Sequence, residues 1–195
     1  MRLRKQYLTK NDCYRAGRTI RPLGIMIHST GANNPSVARY VPGDEEIGRN
    51  TYGNHWDQTN TEYKAKFDKK LNKCAHAFVG RFADGSVGTV QTLPWNWRGW
   101  HCGRGKNGSA NDTHISFEIC EDGLTDASYF KAVYQEAVEL TAYLCKEYNL
   151  DPLADGVVIC HQEGYRRGIA SNHGDVLHWF PKFGKTMDNF RADVA

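Results

Sequence analysis

Two short apolar runs each end in a histidine, and that pairing constrains the chain more than any other feature. Residues 24–27, Gly-Ile-Met-Ile, deliver His28, and residues 157–160, Val-Val-Ile-Cys, deliver His161. Continuous apolar runs of this length mark inner strands covered on both faces. A rigid strand end holds a ligand side chain well, and imidazole and carboxylate suit zinc. After His161 a Gly-rich loop is expected, then Asn172-His173-Gly174-Asp175, with His178 close behind. Three histidines and an aspartate within eighteen residues can build one side of a metal site, and His28 is the best candidate for the other. On residue type alone, the remaining ligand stays open among Asp175, His173 and His178.

The other segments supply a core and a wall. Residues 74–80 and 86–93 read as strands around the turn signal Asp84-Gly85. His76, on the first of them, is expected in the core. Residues 113–121 alternate, with Ile115, Phe117 and Ile119 on one face and His114, Ser116, Glu118 and Cys120 on the other. A carboxylate in the middle of such a strand is costly unless paired or functional, which makes Glu118 the general-base candidate. Glu121 and Asp122, at the strand end, are expected to be solvated. Residues 126–148 have helical periodicity behind Asp126 as cap, and 186–194 form a terminal helix.

Less regular segments carry aromatic residues. Residues 1–22 read as an extended lead-in with a helical turn after Asn11, and 35–41 as a helix start capped by Asn34. Residues 43–70 are polar and weakly periodic, as expected of a functional loop or insertion, where His55 and Trp56 can line a groove. Trp95, Trp97 and Trp100 precede His101, a concentration suited to the wall of a sugar or peptide site. His101 and Trp100 are expected to touch substrate rather than metal. The Gly103–Gly108 run spells a nucleotide-binding glycine pattern but has no strand before it and no helix after it, so it reads as a loop.

Composition narrows the classes. With 195 residues, 40% of them hydrophobic, residues 1–195 are expected to form one domain with a sizeable core. A net charge of +3 suits attraction to an anionic wall polymer, and no basic run with interleaved aromatics points to nucleic acid. No stretch has membrane-spanning length, and the charged N-terminus lacks the apolar region of a signal peptide. Six cysteines without a Cys-x-x-Cys pair are expected as buried free thiols, with a disulfide left open by the even count.

In order along the chain stand His28-Ser-Thr, Ala75-His76-Ala-Phe-Val, Trp100-His101-Cys-Gly, Ile115-Ser-Phe-Glu118, and Cys160-His161 followed by Ser171-Asn-His-Gly-Asp175. This series resembles the zinc-dependent N-acetylmuramoyl-L-alanine amidases of the type 2, peptidoglycan-recognition-protein-like family, especially endolysin and autolysin catalytic domains. The resemblance spans about residues 22–185. It implies an α/β fold, a mixed central β-sheet flanked by helices, with a zinc cleft along one face. It implies hydrolysis of the amide between N-acetylmuramic acid and L-alanine of the stem peptide of bacterial peptidoglycan. It also implies His28, His161 and Asp175 as the metal ligands. Two residues before the last ligand, relatives often carry lysine or threonine near the reacting carbonyl; this chain has His173, which takes that catalytic place.

On this reading three ligands leave zinc an open position for a water, whose proton Glu118 takes as general base. The alternative is a non-catalytic peptidoglycan-binding module of the same fold, which loss of a ligand or of the base would mark. Other zinc hydrolases fit less well, since neither His-Glu-x-x-His nor Pro-Cys-x-x-Cys is present. The missing signal segment suits a bacteriolytic enzyme made in the cytoplasm and released to the wall, as a phage lysin is. A longer parent chain could add a C-terminal wall-binding domain.

Overall fold

A computed structural model describes residues 1–195. The apolar runs become the strands expected of them. In chain order the strands are β1 (Leu3–Lys5), β2 (Gly24–Ser29), β3 (Ala77–Arg81), β4 (Val87–Gln91), β5 (His114–Ile119) and β6 (Val158–Cys160). They form one six-stranded sheet in the order β1-β4-β3-β5-β2-β6. The pair joined by the Asp84-Gly85 turn is antiparallel, and every other pair is parallel. The sheet is therefore mixed, as the resemblance implied.

Alternation divides the two faces. Ile25, Ile27, Ile115, Phe117 and Ile119 enter one 25-residue core together with the long helix α3 (Ala127–Tyr148) and the terminal helix α5 (Met187–Val194). Asp126 caps α3 by accepting from the Tyr129 N–H at 3.0 Å. Thr186 and Asn189 form a reciprocal cap on α5. The opposite face carries Met26, His28 and Phe78, and part of it is covered by Tyr40, Trp56 and Tyr63. All six cysteines are free, and five of them are buried.

Several expectations change. The lead-in donates β1, a parallel edge strand on β4, before the short helix α1 (Asp12–Ala16) capped by Asn11. Residues 35–41 make only a 3-10 turn, Val37–Arg39, capped by Ser36 rather than Asn34. The 43–70 segment contains α2 (Asn60–Phe67). Only Tyr63 of α2 is buried, so no apolar stripe betrays it; its legible signal is the capping box of Thr59 and Glu62. His161 opens a helix, α4 (His161–Arg166), where a loop was expected. Glu163 accepts the Cys160 N–H at 3.0 Å and pairs with Arg191 of α5 at 3.1 Å, which closes the chain into a helical turn at once. Glu121 is 4% exposed, not solvated: its carboxylate accepts from Gly31 N–H and pairs with His178, each at 3.0 Å.

Candidate metal centre

Strand register assembles most of the site. In the parallel β2–β5 pair, His28 stands opposite Glu118. In the β2–β6 pair, Ile27 stands opposite Cys160, so His161 emerges beside His28. Three adjacent strands thus present His28, Glu118 and His161 at their carboxyl ends. Close packing holds α4 on this edge: a Cβ on Gly164 would lie 2.5 Å from Met26 Cε.

The remaining carboxylate arrives from a turn. Asp175 opens a 3-10 helix, Asp175–His178, with a φ of 37°. That is the left-handed region, which Asp tolerates better than most residues. Gly174 has an ordinary φ of −80°, so the turn does not draw on the glycine's freedom; Asp175 itself takes the unusual conformation. Val176 and Trp179, both buried, anchor the turn in the core.

The three donor atoms face one another. Asp175 Oδ2 lies 3.0 Å from His28 Nδ1 and 2.8 Å from His161 Nδ1, and the two Nδ1 atoms are 3.1 Å apart. The outer ring nitrogens have partners of their own. His28 Nε2 is 3.0 Å from His101 Nδ1, and His161 Nε2 is 3.4 Å from Ser171 Oγ. A metal held here would take both Nδ1 lone pairs and leave the imidazole protons on the outer nitrogens. Tetrahedral zinc, with bonds of about 2.0–2.2 Å, sets its ligand atoms about 3.3–3.5 Å apart, a few tenths beyond the spacing here. Two imidazoles and a carboxylate, converging with outer partners that fix their tautomers, fit zinc.

Electrostatics agree with that donor set. Burial pushes the Asp175 carboxyl up, but hydrogen bonds from His161 and His28 outweigh it and hold Asp175 well below the usual carboxylate range. Burial lowers His28, against the pull of Asp175, and lowers His101 strongly. A neutral imidazole at His28 and an ionised carboxylate at Asp175 are forms that ligate a metal.

Glu118 lies on the floor of a cleft of about 490 Å³ that also takes in the three donors. Its Oε2 is shut off from solvent and has no hydrogen-bond partner. Burial and then the charge of Asp175 raise its pKa well above the ordinary range, and Lys73 offsets this only in part. His173 is exposed at the cleft edge, with Nδ1 3.2 Å from Ser171 Oγ. Trp56, Trp100 and His101 line the cleft, whereas His55 is outside its lining. His101 also reaches inward to His28, and its own Nε2 is enclosed without a partner. His76 sits in the core, bonded to Ser116 and the Trp97 carbonyl.

Two contributors went unnoticed in the sequence. Ser171 links His161 to His173, and the Tyr40 hydroxyl is enclosed at the cleft with no partner. Neither has a neighbour pattern that distinguishes it from an ordinary loop serine or core tyrosine. Arg39, Lys69, Lys70 and Lys73 add a basic wall.

A family profile described as N-acetylmuramoyl-L-alanine amidase matches residues 18–176. The chain belongs to this amidase family. The N-acetylmuramoyl-L-alanine amidase CwlA of a Bacillus species is 38% identical over 74 residues, which are 38% of this chain and 28% of that protein. Among solved structures, the Staphylococcus aureus hydrolase AmiA in complex with its ligand has a TM-score of 0.65 at 18% identity, covering 100% of this chain and 82% of that one. A mutant endolysin from Bacillus subtilis gives 0.61 at 22% identity, and the catalytic domain of XlyA gives 0.60 at 21%; each pairing covers 100% of both chains. At these identities the likeness is one of fold. It places the six-stranded sheet and its helices among amidase and endolysin domains.

Proposed function

We propose that the chain is a zinc-dependent peptidoglycan amidase, a single catalytic domain that cleaves the bond between N-acetylmuramic acid and L-alanine. The observation that carries this reading is the convergence of His28, His161 and Asp175 beside an enclosed, unpartnered Glu118 oxygen. A binding module has no need of a desolvated carboxylate at its metal edge. The substrate is bacterial peptidoglycan, and the basic wall of Arg39, Lys69, Lys70 and Lys73 suits the carboxylates of its stem peptide. The place of action is the cell wall. No helix of the chain is long and apolar enough to cross a membrane.

His28, His161 and Asp175 hold the metal. When bound, zinc supplies a Lewis acid that polarises the scissile carbonyl and acidifies a water. Glu118 Oε2 takes a proton from the attacking water and returns it to the nitrogen of the departing L-alanine. The seclusion of Oε2 keeps bulk water from competing for it. Ser171 has one hydroxyl proton. The Cys102 carbonyl at 3.1 Å and His173 Nδ1 at 3.2 Å compete for it; when it turns to His173 Nδ1, it leaves the His173 Nε2–H free to meet the carbonyl oxygen as that oxygen gains charge. Trp56 and Trp100 give the sugar and peptide an apolar surface to lie against.

Purified cell walls test the reading. The expected result is release of new α-amino groups on L-alanine with no new reducing sugar, in a preparation that contains one zinc per chain. Reducing-sugar release would make the enzyme a glycosidase. Wall binding without either product would make it a binding module.

A further inference from the structure

One buried carboxylate has no part in the chemistry above. Glu121 lies three residues beyond Glu118, past the end of β5, with its side chain 5% exposed. A secluded carboxylate is costly unless several groups satisfy it. Here Gly31 N–H donates to Oε1 at 3.0 Å, and His178 Nε2 lies 3.0 Å from the same oxygen. The Glu121 backbone joins in: its N–H donates to Thr30 Oγ1 at 3.1 Å, and its carbonyl accepts from Asn34 N–H at 2.9 Å.

These contacts connect three parts of the site. Thr30 and Gly31 directly follow β2, which carries His28. Glu121 follows β5, which carries Glu118. His178 closes the 3-10 turn that Asp175 opens. Asp175 is held at a φ of 37°, a conformation an L residue leaves unless its surroundings enforce it. Val176 and Trp179 are buried on the inner side of the turn, and the 3.0 Å His178 Nε2–Glu121 Oε1 contact links its outer side to the strands.

We infer that Glu121 and His178 form a latch that sets the Asp175 carboxylate against His28 and His161, making them positioning residues for the metal centre. This rests on the reading of those three residues as zinc ligands. The latch adds no ligand. It restricts the turn to the one arrangement in which Asp175 Oδ2 meets both imidazoles, so the carboxylate is in place before the metal arrives. Groups that bond a ligand directly are worth about 10- to 100-fold in metal affinity, and a latch acting through the turn is expected near the lower figure.

The test is zinc affinity of the full chain, measured by competition with a chromogenic chelator, beside the melting temperature of the metal-free protein. His178 is 40% exposed on its side chain, so His178→Ala opens no core cavity. The expected result is about a tenfold or greater loss of zinc affinity with little change in metal-free melting. His178→Gln, which keeps an N–H donor on a side chain of similar reach, should recover part of the loss. A Glu121→Ala variant, which removes the accepting oxygen, should weaken zinc as His178→Ala does, and the two changes together should cost no more than the larger alone. A His178→Ala protein that binds zinc as tightly as the wild type overturns the latch. A wild-type chain with no zinc affinity overturns the metal reading and the latch with it.

Discussion

The two halves of the metal edge are built on different principles. His28, Glu118 and His161 stand at the ends of three parallel strands, where hydrogen-bond register leaves each Cα one position. Asp175 and His173 stand on the 171–178 turn, whose placement depends on a strained backbone, two buried anchors and side-chain bonds. The strand half should tolerate loss of a functional group with its geometry intact. The turn half should lose geometry and function together. Substitutions on the two sides can break that contrast.

The largest effect belongs to Asp175→Ala. Removing the carboxylate leaves two imidazoles, one fewer protein ligand than catalytic zinc sites use. Zinc should be lost on dialysis and amidase activity should fall to background. A variant that stays loaded after dialysis would pass the third-ligand role to His173 or His178. Glu118→Gln, on the strand half, should do the reverse in one respect. The amide keeps the shape and cannot accept the proton, so activity should drop about 10²- to 10⁴-fold while zinc stays at one per chain. Activity within a few-fold of wild type would remove Glu118 from the mechanism. His173→Ala comes next, with zinc retained and turnover reduced about 10²-fold, the cost of one oxyanion donor.

A smaller effect separates the core from the cleft. His76 is fully buried, and burial lowers its pKa from 6.5 to about 4 despite its bonds to Trp97 and Ser116. The folded value lies below the unfolded one, so unfolding takes up a proton between the two. The associated stability is intact above pH 6.5 and is lost as pH falls towards 4. A shift of that size corresponds to about 3 kcal/mol. In denaturant melts across this range, the stability of the wild type relative to His76→Gln should fall by about 3 kcal/mol as pH drops through the window. Parallel curves would mean that His76 does not titrate there.

The same contrast explains what could be read in advance. Strands 24–29, 77–81, 87–91 and 114–119 follow from apolar runs and alternation, because the sheet buries both faces over its centre. His28, His161 and Glu118 were legible because each interrupts or ends such a run. The turn was not. Nothing in Gly174-Asp175 says which residue takes the positive φ, and a Gly beside an Asp invites the wrong choice. Helix α2 escaped because it buries a single side chain, and α4 because its start is set by Arg191, thirty residues away in sequence from His161. Glu121 was misread as solvated because its partners, Gly31 and His178, lie 90 and 57 residues away along the chain.

The smallest expected effects make the sharpest comparison, since one substitution can be placed in both halves. A Cβ on Gly174 meets nothing within 4 Å, and its φ of −80° suits any residue. Gly174→Ala should leave zinc content and activity within about twofold of wild type and raise stability by about 0.4–1 kcal/mol, because the unfolded chain loses freedom. Gly164, on α4 behind His161, is different: a Cβ there would lie 2.5 Å from Met26 Cε and 3.2 Å from Ala170 Cβ. Met26 neighbours His28 on the same face of β2. Met26 is fully buried, so its displaced methyl must be rehoused within the core. Gly164→Ala should therefore cost about 1–3 kcal/mol, the usual penalty of overpacking. Part of that strain should reach the metal centre as weaker zinc binding, because α4 begins with His161. Thermal melts and zinc titrations of the two alanine variants decide the matter. If Gly174→Ala is the more damaging, the turn depends on its glycine after all, and Asp175 is not the residue that sets the bend.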